Sequence, residues 1–125
     1  MERWVRVINR SRGNSPLGRA RWCDSFFCRL RGLTFRREIP DGEGLVLVES
    51  SEGRVNTAIH MLFVFFSISV FWVNSEGLVV DRTLAKPWGF YAPKQAAQFI
   101  LEASPRILDE VQIGDQLEFI DEDQA

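Results

Sequence analysis

Residues Ala58 to Val73 read AIHMLFVFFSISVFWV, thirteen apolar residues in sixteen, with the only histidine of the chain, His60, inside the run. A membrane-spanning helix needs about 20 consecutive apolar residues. This run is shorter, is interrupted by His60, Ser67 and Ser69, and has no basic cluster directly after it, so no membrane span is expected. Ten of the sixteen residues are aromatic or β-branched, the types that suit a pleated strand. Phe66, Ser67, Ile68, Ser69 and Val70 alternate with the period of two that sends neighbours to opposite faces, which predicts a half-buried strand. One straight strand of this length would reach roughly 50 Å, several times the usual span. The run therefore reads as two strands, or as one broken near Phe66.

Outward from this core the chain reads as a single domain, 1–125, ending in a short acidic tail at 121–125. Ten Phe, four Trp and 46% hydrophobic residues are enough to fill one core. Trp4 to Ile8 predicts a first strand, Arg12 to Pro16 a turn, and Arg19 to Cys23 a second strand. A short helix follows, with Asp24 as its cap, Phe26, Phe27 and Leu30 on one face, and Gly32 at its end. Pro40, Asp41 and Gly42 turn into a strand at Gly44 to Glu49. Asn74 to Gly77 join the core run to Leu78 to Leu84 as a hairpin. Pro87, Trp88 and Gly89 break the pattern, and Phe99 to Glu102 resumes a strand. Ser104 and Pro105 open a short helix to Val111, and Gln116 to Ile120 closes the chain. About eight short strands and one or two short helices predict a mainly β fold, a sandwich or a barrel.

The charge is lopsided along the sequence. Residues 1 to 37 hold ten Arg against Glu2 and Asp24, whereas residues 38 to 125 hold five basic residues against fifteen acidic ones. A basic face for nucleic acid is one reading, and interleaving of the two halves, each neutralising the other, is the favoured one. The N-terminal residues lack the apolar stretch of a secretory signal, so the expected compartment is the cytoplasm. Cys23 and Cys28 are accordingly expected as thiols whose role is packing.

Chemistry is sparse. Cys23, Cys28 and His60 make a poor zinc set, since the second cysteine follows the first by five positions and the histidine is distant, so no metal and no cofactor are expected. A Cys28 and His60 pair is the one conceivable nucleophile and base, and a histidine satisfied in the core is the plainer reading. Gly42, Glu43 and Gly44 lead into a strand where a phosphate loop would open a helix, and read as a turn. Gly114 and Asp115 also read as a turn device.

The order of RLRGLTFR at Arg29 to Arg36, GEGLVLV at Gly42 to Val48, IHMLFVFFSISVFWVNSEGLVV at Ile59 to Val80, LAKPW at Leu84 to Trp88 and FILEASPRILDEVQIGDQLEF at Phe99 to Phe119 resembles the domain-of-unknown-function family 192. The resemblance implies a small, mostly β protein without an established activity. It also shows a departure. Where the family pattern runs Met, Arg, Phe, Pro, Ile, Asp, this chain has Val64, Phe65, Phe66, Ser67, Ile68 and Ser69, so an Arg and Asp pair at Phe65 and Ser69 is lost together without stranding either charge. What remains of a shared pocket would be Arg29, Arg31, Asn56, Thr57, His60 and Trp88. The function expected from all of this is a non-catalytic binding or protein-interaction module, with a protein or small molecule as partner and a homodimer left open. The alternatives are a ligand-binding protein or enzyme using His60 and Arg31, and nucleic-acid association through the Arg-rich N-terminal part.

Overall fold

In the computed structural model, residues 3–25, 28–29 and 38–122 are described. They form strands β1 (Trp4–Asn9), β2 (Ser15–Cys23), β3 (Glu43–Gly53), β4 (Ile59–His60), β5 (Ile68–Val73), β6 (Val79–Ala85), β7 (Phe90–Tyr91), β8 (Ala97–Ala103) and β9 (Leu117–Asp121), with short 3-10 helices at Arg10–Arg12 and Pro105–Glu110. The mainly β expectation holds. The ninth strand is β7, which pairs with β4 in a two-stranded sheet and, at two residues, is too short to leave a periodic signal. The core run breaks as read, into β4 and β5 on either side of residues 61–67.

The remaining seven strands make one sheet in the order β6-β5-β8-β3-β2-β1-β9. Neighbours are antiparallel except β2 and β3, which run parallel. The sheet curls until its two edges meet at one end. Leu78 bridges Gln116, Gly114 N donates to Val79 O (2.8 Å), and Leu117 N donates to Gly77 O (2.8 Å). Along the rest of the gap the helix Pro105–Glu110 packs on β5 and β6, where Arg82 Nη1 donates to Leu108 O (3.0 Å). This helix starts as its sequence predicts: Ser104 Oγ accepts from Arg106 N, with Pro105 at the first position.

Curling gives the sheet an inside and an outside, and both are apolar. Val5, Val7, Ala20, Val46, Phe71 and Leu101 fill the inside, whereas Leu45, Leu47, Val70, Trp72 and Ile100 lie on the outside beneath Ile59, Met61 and Val64. Strand β5 contributes to both, and every one of its six residues is buried. The half-buried strand predicted from alternation is thus corrected. Period two separates two cores here, not core from solvent. Trp72 satisfies its indole by donating to Thr57 O (2.7 Å), while Ser69 Oγ, on the opposite face from Ile68 and Val70, is buried without a hydrogen-bond partner among the described residues.

The closed end is held by one carboxylate. Asp115 Oδ2 accepts from Asn9 Nδ2 (2.9 Å), Arg12 Nε (3.0 Å) and Gln112 N (2.9 Å), and so joins the turn after β1 to the turn before β9. Burial works to raise its pKa. The hydrogen bonds from Asn9 and Gln112, with the Arg12 guanidinium, outweigh that and hold it below the usual aspartate range. The two charge-biased halves interleave through further pairs: Arg3 with Asp121 (2.8 Å), Arg19 with Glu122 (2.9 Å), Arg29 with Glu49 (2.7 Å), and Arg10 with Glu118. Among the described residues, Arg3, Arg10, Arg12, Arg19 and Arg29 are thus each paired with an acid from later in the chain.

Two expectations near Cys23 are corrected. Cys23 and Cys28 form a disulfide, with Cα atoms 5.5 Å apart, where thiols were expected from the assumed reducing compartment. That separation lies within the range a disulfide requires. The helix cap is Ser25, whose Oγ accepts from Cys28 N (3.2 Å), and not Asp24, while Phe26, Phe27, Leu30 and Gly32 lie outside the described residues. The disulfide ties this segment to the outer core, on which both sulfur residues pack.

Closing a loop this short constrains the unfolded chain by about 2 kcal/mol. Reduction of the wild type should lower its unfolding free energy in urea by that amount, and Cys28→Ala should show the lower value with or without reductant. Identical oxidised and reduced midpoints would refute the tether. Asp115→Ala, which strands Asn9 and Arg12, should cost about 3 kcal/mol, and the stability that Asp115 confers is present above its unfolded pKa and lost as pH falls through the lowered folded one. A pH 7 denaturation curve for this variant that overlays the wild type would contradict the role.

Candidate binding surface

The outer core needs a cover, and part of it comes from the two turns that flank the β4 and β7 sheet. In the first, Val64 N donates to Met61 O (3.2 Å) and Phe63 lies at φ 59°. In the second, Gly89 N donates to Lys86 O (3.2 Å), Pro87 takes the second position and Trp88 lies at φ 68°. Both have the arrangement of type II turns, in which the third residue must adopt positive φ and is normally Gly or Asn. Here each third residue is aromatic. Met61 joins the two turns back to back, its N donating to Gly89 O (2.7 Å) and its O accepting from Trp88 N (2.8 Å).

The rings so placed form a cluster. Trp88 meets Phe63 edge to face at 5.1 Å and Phe65 at 5.9 Å between centroids. Edge-to-face pairs of this kind each contribute about 1 kcal/mol beyond burial. They do not bury the cluster, for Phe63, Phe65 and Trp88 remain 44%, 58% and 48% exposed, and Phe90 on β7 is 71% exposed. His60 is the cross-strand partner of Phe90. It stands exposed, with Nδ1 accepting from Leu62 N (3.3 Å), so the histidine satisfied in the core that the sequence suggested is corrected.

Of the residues singled out from the sequence, His60 and Trp88 come to this surface. Thr57 is buried in the turn before β4, where Oγ1 donates to Gly53 O (2.7 Å), and exposed Asn56 donates to Ser51 O (2.9 Å). Arg29 is a clamp: besides Glu49 it donates to the carbonyls of Asp24 and Val48. Arg31 lies outside the described residues. With both sulfurs in the disulfide, neither cysteine is available as nucleophile or ligand. Among the described residues no helix is long and apolar enough to cross a membrane. Phe63 reads from the sequence only as part of the apolar run, Phe65 only as a departure from the family pattern, and Phe90 is assigned to no element, while the signal that could have found Trp88 as a presented ring is its place after Pro87 and before Gly89.

Glu102 is the other residue that the sequence did not reveal. On β8 it faces the outer core, paired in register with Leu45 and Val70, and it is 5% exposed without a hydrogen bond or ion pair among the described residues. Burial pushes its carboxyl up to about 7. Below the unfolded pKa both states hold the proton. As pH rises toward 7 only the unfolded chain releases it, so stability falls, and the whole effect approaches about 3 kcal/mol. Glu102→Gln removes this dependence. Urea unfolding at pH 5 and pH 8.5 should show the variant gaining on the wild type at the higher pH, and parallel behaviour of the two proteins would refute the buried acid.

The comparisons with known proteins agree on kinship and say nothing about activity. The pattern of DUF192, described as an uncharacterized ACR, matches residues 7–119. The chain is 37% identical over 115 residues to a UPF0127 protein of Thermococcus sibiricus, covering 90% of this chain and 73% of that one. It is 36% identical over 115 residues to a UPF0127 protein of Pyrococcus furiosus, covering 90% and 97%. Two crystal structures share the fold at 18% identity. One is a Sinorhizobium meliloti protein named for a conjectured role in transcription regulation (TM-score 0.80, covering 95% of this chain and 94% of that one). The other is a protein of unknown function from Novosphingobium aromaticivorans (TM-score 0.77, covering 92% and 83%). With the family pattern spanning nearly the whole domain and relatives above one third identity along most of it, the chain belongs to the domain-of-unknown-function family 192.

Proposed function

We propose that this protein is a non-catalytic binding module that engages a partner protein through the surface of Phe63, Phe65, Trp88 and Phe90. The observation that carries this reading is the pair of strained turns. A bulky residue at positive φ costs on the order of 1 kcal/mol, and such strain concentrates where a side chain must be presented. Strain that positions a ring in a core is offset by its burial. Phe63 and Trp88 bear the strain and stay about half exposed. An exposed ring cluster such as that of Phe63, Phe65 and Trp88, with exposed Phe90 on the adjoining strand, is the common mark of a protein-interaction site, where aromatic side chains supply large contact area at little entropic cost.

Glycine suits both turn positions, so the double variant Phe63→Gly and Trp88→Gly keeps the fold. Relief of backbone strain should offset the lost ring packing to within about 1 kcal/mol. Affinity capture from cells of the source organism, with proteins identified by mass spectrometry, should retain specific proteins on the wild type that the equally stable double variant does not retain. Identical sets on the two would remove the proposal.

A further inference from the structure

The segments that build the aromatic surface are free of acid. Seventeen acidic residues are spread along the chain, yet none falls in 53–75 or 82–101, the two stretches that contain β4, β7 and both strained turns. The same stretches hold Arg54, His60, Arg82, Lys86 and Lys94, including both lysines of the protein. Arg54 and Arg82 donate to the carbonyls of Pro93 and Leu108. Lys86 and Lys94 are exposed, and their ammonium groups have no ion pair or hydrogen bond among the described residues. This contrasts with the arginines at positions 3, 10, 12, 19 and 29, each held by a carboxylate. The positive charge left over after the fold has neutralised itself therefore includes two ammonium groups, one in the second strained turn and one just beyond β7.

The geometry supplies a second element. Strands β4 and β7 pair only with each other, so each has an edge along which no other strand of the described residues lies. An open edge offers backbone donors and acceptors to an extended chain, and the pleat spaces the side chains beside it for alternating recognition. A lipid surface could accept the rings and the lysines, but lipid tails cannot satisfy the unpaired backbone groups of a strand edge. A peptide can satisfy them.

We infer that the partner is recognised through an extended segment in which carboxylates alternate with apolar residues, laid along the edge of the β4 and β7 sheet with its apolar side chains on Phe63, Phe65, Trp88 and Phe90 and its carboxylates toward Lys86 and Lys94. This rests on the aromatic surface being the binding face, and it adds the chemistry of the occupant. Charge complementarity of this kind fixes register and partner choice, and it weakens with salt.

The test uses the full chain with its disulfide intact and three probes: a short synthetic peptide alternating aspartate with phenylalanine and leucine, its counterpart with lysine for aspartate, and phosphatidylglycerol vesicles. Fluorescence anisotropy of the labelled peptides is read at low and high salt, and vesicle binding by co-sedimentation. Acetylation of Lys86 and Lys94 is followed by mass spectrometry with and without peptide. The expected result is binding of the aspartate peptide alone, weakened by salt, with both lysines protected from acetylation. Lys86→Glu with Lys94→Glu should weaken it by about tenfold. Equal binding of the two peptides, both lost in the Phe63→Gly and Trp88→Gly variant, would overturn the acidic partner and leave the aromatic surface standing. Binding of the aspartate peptide unaffected by that variant would overturn both readings. Capture by vesicles with no peptide binding would assign the surface to lipid, and failure of all three probes would likewise overturn the inference.

Discussion

Burial of β5 on both faces is the constraint from which the rest of the architecture follows. A strand apolar on both sides must sit inside a sheet and must be covered twice. On one side the curl of the sheet provides the cover, bringing Val5, Val7, Phe71 and Leu101 together within a single curved layer. On the other side a second layer must be added, and the chain makes it from Ile59, Met61 and Val64 with the tether at Cys23 and Cys28. The two cores are held by different means. The inner one is locked where Asp115 gathers Asn9, Arg12 and the backbone of Gln112. The outer one is locked by the disulfide, the Arg29 clamp and the turns joined through Met61.

This division accounts for the location of the exposed aromatic cluster. Strands of the main sheet have little freedom, because most of their residues pack on a core or pair with a neighbour. The outer cover has to be irregular to fill the space above a curved sheet, and irregular backbone can hold side chains in unusual directions. Met61 is the pivot. Its side chain is buried in the outer core while its backbone binds both turns, so core packing fixes the directions in which Phe63 and Trp88 are presented. Glu102, on β8, faces the same outer core, and burial there raises its carboxyl to about 7.

Much of the fold was legible. The break near Phe66, the hairpin at Asn74 to Gly77 and the helix opened by Ser104 and Pro105 rest on local chemistry that the structure retains, and the mutual neutralisation of the two charge-biased halves follows from their opposite composition. The misses have a common physical origin. Alternation in β5 reports two faces but not what covers them, so Ser69 looked solvent-facing. Glu102 sits on a strand whose burial on both faces is a tertiary fact, and a lone acid between Leu101 and Ala103 carries no local sign of it. The disulfide was hidden by an assumption about compartment rather than by geometry. His60 looked like core because it lies within an apolar run, yet it falls at the exposed face of a two-residue strand. The candidate surface is half visible in the sequence: Trp88 and His60 stand out by residue type and Phe65 by its departure from the family pattern, whereas Phe63 and Phe90 vanish into the hydrophobic count.

The family departure at Phe65 and Ser69 takes on a different meaning once these residues are placed. Ser69 is enclosed on the inner side of β5, and Phe65 stands exposed on the outer side against Trp88. Side chains at these two positions are directed to opposite sides of the main sheet, so this fold does not bring them together as one charge pair. A serine at 69 leaves its hydroxyl buried without a hydrogen bond among the described residues, a cost in stability with no visible return in contacts. A phenylalanine at 65 adds a third ring to the pair formed by Phe63 and Trp88, turning two presented aromatics into a continuous surface. At that position a guanidinium would have placed charge within the ring cluster. Phe65 instead keeps the cluster apolar and leaves the cationic groups, Lys86 and Lys94, to a neighbouring turn and the segment beyond β7.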